Sequence, residues 1–171
     1  MAEKAKGIAR RSVRVSEPGP DIGEYVARLK TGRPDVYRFA ALVGLRVKNR
    51  AELLERLEKG LSYRALVRFQ QNAGMPMSEV ADVVRITPRT LTRRKEEGRL
   101  QPDESDRLLR ASRLFALALE LFEGDAKAAR TWLMSPQLGL GGARPFDCVK
   151  TDIGAKEVED FIGRIEHGLP A

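Results

Sequence analysis

Met77–Gln101 reads MSEVADVVRITPRTLTRRKEEGRLQ, and this stretch decides the fold. It predicts two short helices joined by a tight turn. Ser78 is placed to cap the first helix, and Val80, Ala81, Val84 and Ile86 supply its apolar side. Thr87-Pro88 restarts a helix, with Thr at the N-cap and Pro at the first helical position, where a missing N–H costs nothing. Leu91 falls inward, ten residues after Ala81, a spacing that lets two helices of a helix-turn-helix cross closely. Between Thr87 and Lys95 stand four cations (Arg89, Arg93, Arg94, Lys95) and no acid. Arg and Thr on the outer face of a short helix suit a DNA major groove, where Arg binds guanine edges or phosphate and Thr meets either. The candidate DNA-binding residues are therefore Thr87, Arg89, Thr90, Thr92, Arg93, Arg94 and Lys95. Thr87, Arg89, Thr92 and Arg93 are expected to point outward, with Arg89 reading a guanine and Arg94 and Lys95 contacting phosphate. The plainer alternative is a solvated amphipathic helix pair. Arg85 holds the turn position often given to Gly, so the turn is expected to be looser or to need no left-handed residue.

Outward from this pair the pattern stays helical. Residues 1–20 hold Lys4, Lys6, Arg10, Arg11 and Arg14 against Glu3 and Glu17, and read as a flexible basic arm closed by Pro18-Gly19-Pro20. Asp21 is placed to cap a helix carrying Ile22, Tyr25, Val26 and Leu29. Pro34 is placed to open another through Val36, Phe39, Ala40 and Val43, stopped at Gly44. Leu53, Leu54 and Leu57 mark a third, and Ser62 is placed to cap a fourth that ends at Gly74. The basic helix should stop at Gly98. Asp103–Glu123 predicts the longest helix, with Leu108, Ser112, Phe115, Leu119 and Phe122 along one side. Asp125 should cap a short helix bearing Trp132. A Gly/Pro-rich loop, Pro136–Pro145, and a turn at Phe146–Val149 then lead to a last helix, Ala155–His167, with Val158, Phe161, Ile162 and Ile165 as its apolar side. No alternating segment reads as a strand, so the expected class is all-α.

Charge divides the chain. Its 171 residues carry a net charge of +7. Pro145–Ala171 sets three cations (Lys150, Lys156, Arg164) against six acids (Asp147, Asp152, Glu157, Glu159, Asp160, Glu166). Residues 1–144 therefore hold +10 of the total +7, and the end holds −3. A basic body favours a polyanion, and an acidic end implies a second, different partner. No run approaches the ~18 apolar residues of a membrane span, and the N-terminus lacks a signal-peptide core. A cytoplasmic protein with no membrane partner is expected.

Little in the chain looks catalytic. One Cys (Cys148) and one His (His167) exclude an intrachain disulfide and a Cys/His zinc site. Leu140-Gly141-Gly142 lacks the GxxxxGK[ST] pattern and a preceding strand, so it reads as a tight loop. Glu104 and Asp106 do not face each other on a helix. His167 reads as a dipole-favoured residue at a helix C-terminus. No catalytic residue, metal site or cofactor is expected.

From about Gly60 to Leu169 the chain resembles the MbcA/ParS/Xre antitoxin family. The resemblance is carried by ITPRTLTRRKEEGRL (Ile86–Leu100), ESDRLLR (Glu104–Arg110), ALELFEGDAKAARTWL (Ala118–Leu133), LGLGGARPFD (Leu138–Asp147) and TDIGAKEVEDFIGRIEHG (Thr151–Gly168). Cys148 and Phe146 depart mildly from the family pattern, which has aliphatic residues there. The resemblance implies an all-helical, non-enzymatic antitoxin of a type II toxin–antitoxin module. Its implied partners are a RES-domain toxin that consumes NAD or transfers ADP-ribose, operator DNA and a second copy of itself. The implied organisation is an arm at 1–20, a DNA-binding domain at 21–101 with its helix-turn-helix at 77–97, and a toxin-binding domain at 102–171. The resemblance places Gly163, Arg164, Glu166, His167 and Gly168 at the end that blocks the toxin cleft. Glu159 and the tail Leu169, Pro170 and Ala171 are expected to join them. The competing reading is a stand-alone helix-turn-helix regulator whose C-terminal domain only dimerises.

Overall fold

The long apolar stripe after Gln101 becomes a helix of twenty residues, Pro102–Leu121, and most of the other described helices pack against it. The computed structural model of the chain describes residues 22–30 and 37–168. In chain order the helices are α1 (Ile22–Lys30), α2 (Arg50–Glu58), α3 (Tyr63–Ala73), α4 (Met77–Val84), α5 (Pro88–Glu97), α6 (Pro102–Leu121), α7 (Ala126–Leu133), α8 (Pro145–Cys148) and α9 (Asp152–Glu166). Short 3-10 helices occupy Arg38–Val43 and Leu138–Leu140. The expected all-α class holds: the described residues contain no strand, only an isolated bridge between Ser62 and Arg99. The basic arm, the Asp21 cap and the Pro34 helix start lie outside the described residues.

α6 is shared. It packs on α2, α3, α4 and the Arg38–Val43 turn on the helix-turn-helix side, and on α7 and α9 of the C-terminal part. Leu108, Leu114, Phe115 and Leu119 are fully buried, and Phe115 meets Phe69 of α3 edge to face at 6.1 Å. Polar groups that enter this core are all matched. Ser112 donates to the Phe39 carbonyl at 2.6 Å, the Leu61 N–H donates to Ser105 at 2.8 Å, and the Asn72 amide donates to the Leu42 carbonyl at 2.8 Å.

Several starts and stops differ from expectation for local reasons. The segment around Phe39–Val43 is a 3-10 helix ended by Gly44 in the left-handed region. Ala40, Ala41, Leu42 and Val43 are buried in succession, so no one-sided α-helical stripe forms. Ser62 stands at the N-cap of α3 without a side-chain cap: the Ala65 N–H, which such a cap would accept, donates to the Ser62 backbone carbonyl at 2.9 Å. Ser78 is not a cap either: α4 already begins at Met77, and its entry is fixed by the Gln70 amide donating to the Met75 carbonyl at 2.7 Å. α6 starts one residue early because Gln101 and Glu104 form a capping box. α9 starts at Asp152 under a Thr151 cap, and its third residue must be Gly154, since a Cβ there would stand 2.2 Å from the Cys148 carbonyl oxygen. Thr87, Asp125 and Gly98 do what the sequence predicts.

Candidate functional site

The helix-turn-helix is α4, the turn Arg85–Thr87, and α5. Arg85 sits in the left-handed region (φ 60°, ψ 43°), so the turn is tight and does need that conformation. The expectation of a looser turn is corrected. An exposed Arg adopts this geometry at a backbone cost of roughly 1–2 kcal/mol relative to the right-handed region. Two hydrogen bonds anchor the turn: Arg85 N–H to the Asp82 carbonyl and Ile86 N–H to the Ala81 carbonyl, at 3.0 and 2.8 Å. Thr87 then caps α5, its hydroxyl oxygen accepting the Thr90 N–H at 3.2 Å and donating to Thr90 Oγ1 at 3.0 Å. Thr87, Arg89, Thr92, Arg93 and Lys95 are exposed, and Thr90 is half-buried. Thr92 bonds back to the Pro88 carbonyl at 3.2 Å, and Arg93 lies 3.8 Å from Glu97. The inner side carries Leu91, half-buried against the core, and also Arg94.

Arg94 corrects the sequence reading. Its side chain is only 7% exposed and cannot reach phosphate. Its Nε donates to both Glu104 oxygens at 2.7 and 3.0 Å, and Nη1 donates to Glu97 at 2.7 Å. Glu104 in turn accepts the Gln101 N–H at 2.8 Å. These hydrogen bonds raise the Arg94 pKa and fix it as a permanent charge. The pair is a strut that sets α5 against the start of α6.

A second set of ions ties α4 to the C-terminal half, and no sequence signal pointed to it. Arg144 bonds Asp147 at 2.6 Å and reaches Glu79 of α4 at 3.5 Å. Lys150 bonds Asp82 of α4 at 2.6 Å and Asp147 at 3.1 Å. Lys150 and Thr151 thereby line the same groove, of about 950 Å³, as Ser78, Arg85, Pro88 and Leu91. Hydrogen bonds from Arg144 hold the Asp147 carboxyl below the usual carboxylate range. A carboxylate with a depressed folded-state pKa stabilises the fold above its unfolded value and loses that contribution as pH falls through the folded one. The urea midpoint should therefore drop below about pH 4. In Asp147→Asn that drop should be shallower, as followed by circular dichroism across a pH series.

The C-terminal candidates separate. Glu159 is turned inward, not toward a partner: its carboxylate is 16% exposed and accepts from Arg113 of α6 at 2.9 Å. It is withdrawn from the outward face. Gly163 is half-buried with open space where a Cβ would stand, and Arg164 lies over the Phe161 ring at 5.5 Å. Glu166, His167 and Gly168 are exposed at the end of α9, while Leu169, Pro170 and Ala171 lie outside the described residues. Cys148 is half-buried, and burial pushes its thiol up, away from the reactive thiolate. No helix among the described residues is long and apolar enough to cross a membrane.

These features define a helix-turn-helix protein carrying a second helical unit packed on the same long helix. Residues 38–113 match the Antitoxin Xre-like helix-turn-helix domain, and residues 117–168 match the Antitoxin Xre/MbcA/ParS C-terminal toxin-binding domain. Similar proteins include the Antitoxin Xre of Yersinia enterocolitica serotype O:8 / biotype 1B, 37% identical over 128 residues, or 74% of this chain and 86% of the relative. Antitoxin Xre of Photorhabdus laumondii is 33% identical over 114 residues, 66% of this chain and 77% of the relative. Antitoxin Xre of Pseudomonas putida is 30% identical over 118 residues, 68% of this chain and 72% of the relative. The chain belongs to the Xre/MbcA/ParS antitoxin family.

Proposed function

We propose that this antitoxin inhibits a RES-domain toxin that consumes NAD or transfers ADP-ribose, by occluding its active site, and that it represses its own operon as a homodimer. The observation that carries the reading is the joining, in one chain, of a helix-turn-helix and a toxin-binding domain on a shared helix. The DNA contacts are Thr87, Arg89, Thr92, Arg93 and Lys95, which present hydroxyls and cations outward from α5. Thr90 contributes by holding Thr87 in place. The toxin contacts are Gly163, Arg164, Glu166, His167 and Gly168, followed by Leu169–Ala171. A cleft built for an anionic dinucleotide is electropositive, and the exposed Glu166 at the end of α9 complements it. The antitoxin acts by binding, with no cofactor and no reaction of its own, in the cytoplasm where both its DNA and its toxin are found.

The test is co-expression with the product of the adjacent reading frame, with growth and cellular NAD as readouts. Toxin alone should arrest growth and deplete NAD, and the antitoxin should restore both. Restored growth with NAD never depleted would reject the NAD-consuming partner. No rescue at equal expression would reject inhibition.

A further inference from the structure

Leu138 is 97% exposed, yet its backbone is held rigidly. It opens the 3-10 helix Leu138–Leu140, at the tip of a loop closed by the Gln137 N–H donating to the Ala143 carbonyl at 3.0 Å. The Gly142 N–H donates to the Gln137 carbonyl at 2.9 Å. One residue further, Gly139 lies so close to α9 that a Cβ would stand 2.3 Å from the Phe161 ring. Leu140 is buried. A single exposed Leu on a mobile loop needs no explanation. This one is fixed on a scaffold and stands one residue beyond the wall of an apolar groove.

That groove has a volume of about 550 Å³, and its lining includes Phe122, Ala128, Thr131, Trp132 and Gln137 together with the charged Asp125 and Lys127. The Gln137 amide donates to the Trp132 and Ser135 carbonyls at 3.2 and 3.1 Å, which fixes the wall next to Leu138. The half-buried Trp132 stacks on Phe161 at 6.0 Å and 17°, and Arg164 covers the other end of this stack. The buried Phe161 ring thereby joins Trp132 of the groove to Arg164 near the end of α9.

We propose that Leu138 and the Trp132 groove form the apolar centre of the toxin interface, beside the α9 end that enters the toxin's cleft. The inference rests on the antitoxin reading above and adds where the binding energy resides. The occupant is the folded toxin, presenting an apolar side chain to the groove and a hollow to Leu138. Two observations select it. Every lining residue falls within the toxin-binding domain, residues 117–168, and the helix-turn-helix supplies none. Trp132 of the groove and Arg164, one of the residues assigned to the toxin contact, pack on the same Phe161 ring. Trp132 is of the residue type enriched at interface hot spots, and the hydrogen-bonded Leu138 loop beside it loses little conformational freedom on binding.

The test measures the affinity of the full-length protein for the separately purified product of the adjacent reading frame, by calorimetry. Leu138→Asp should weaken binding by about a hundredfold, the scale of losing a hot-spot residue. Thr131→Arg, which fills the groove from an exposed position, should have a similar effect. Ile153→Asp changes an equally apolar, 84% exposed residue outside the groove and should stay within about threefold of wild type, as surface changes away from a hot spot do. All three variants should keep their melting temperature and promoter binding. Wild-type affinity in Leu138→Asp and Thr131→Arg would overturn the proposal. So would a Leu138→Asp protein that turns from dimer to monomer with toxin affinity unchanged, which would give the face to a second copy. A wild-type protein that binds no toxin would instead refute the antitoxin reading itself.

Discussion

Arg94→Ala should lose about 3–5 kcal/mol of folding stability, the cost of leaving a buried charge without its partner. Glu104 is 5% exposed in the intact protein, and without Arg94 its carboxylate keeps only the Gln101 N–H as a partner. Arg94→Met paired with Glu104→Leu should recover most of that loss, since an apolar pair needs no hydration. Urea unfolding followed by circular dichroism separates the two. A single variant that loses under about 1 kcal/mol would mean the pair carries no more than an exposed one. The double variant should still bind DNA more weakly than wild type, because α5 no longer has a directional tie to α6.

Arg89→Ala combined with Arg93→Ala should reduce promoter affinity by roughly 2–6 kcal/mol with little change in stability, at about 1–3 kcal/mol for each base-reading Arg. Both side chains are exposed, and Arg93 has only a distant acid at 3.8 Å, so the fold depends on neither. Lys95→Ala should act differently. It should weaken all sequences alike and lower the slope of affinity against salt by about one ion. Unchanged mobility shifts in the double variant would remove α5 from the DNA interface.

Arg94 and Glu159 show where sequence reading stopped. The class, the order of the helices, the Thr87 and Asp125 caps and the Gly98 stop follow from apolar spacing and cap chemistry, both of which act within a few residues. Arg94 lies three residues after the inward Leu91, and Glu159 four after the buried Ala155, so helical phase alone puts each on an inner side. Their charge reads as exposure unless a partner is known. Those partners, Glu104 and Arg113, are 10 and 46 residues away. The Asp82–Lys150 tie is of the same kind, joining elements far apart in the sequence. Leu138 is the reverse case: it reads as an ordinary loop residue because the contact of Gly139 with Phe161 is tertiary.

The claim that the C-terminal end blocks an enzyme is tested most directly by titrating the purified toxin with the antitoxin while NAD consumption is recorded. Two forms are compared, the full chain and a chain ending at Ile165. Val158, Phe161 and Ile162 remain buried in both, so the shortened chain should keep its fold and its promoter binding. The account predicts that the full chain brings NAD consumption to zero at a fixed stoichiometric ratio. It also predicts that the shortened chain, though still bound to the toxin through the Leu138 face, leaves consumption largely intact. Equal inhibition by both forms would contradict it and would place the block elsewhere, in an assembly that holds the toxin inactive without entering its cleft.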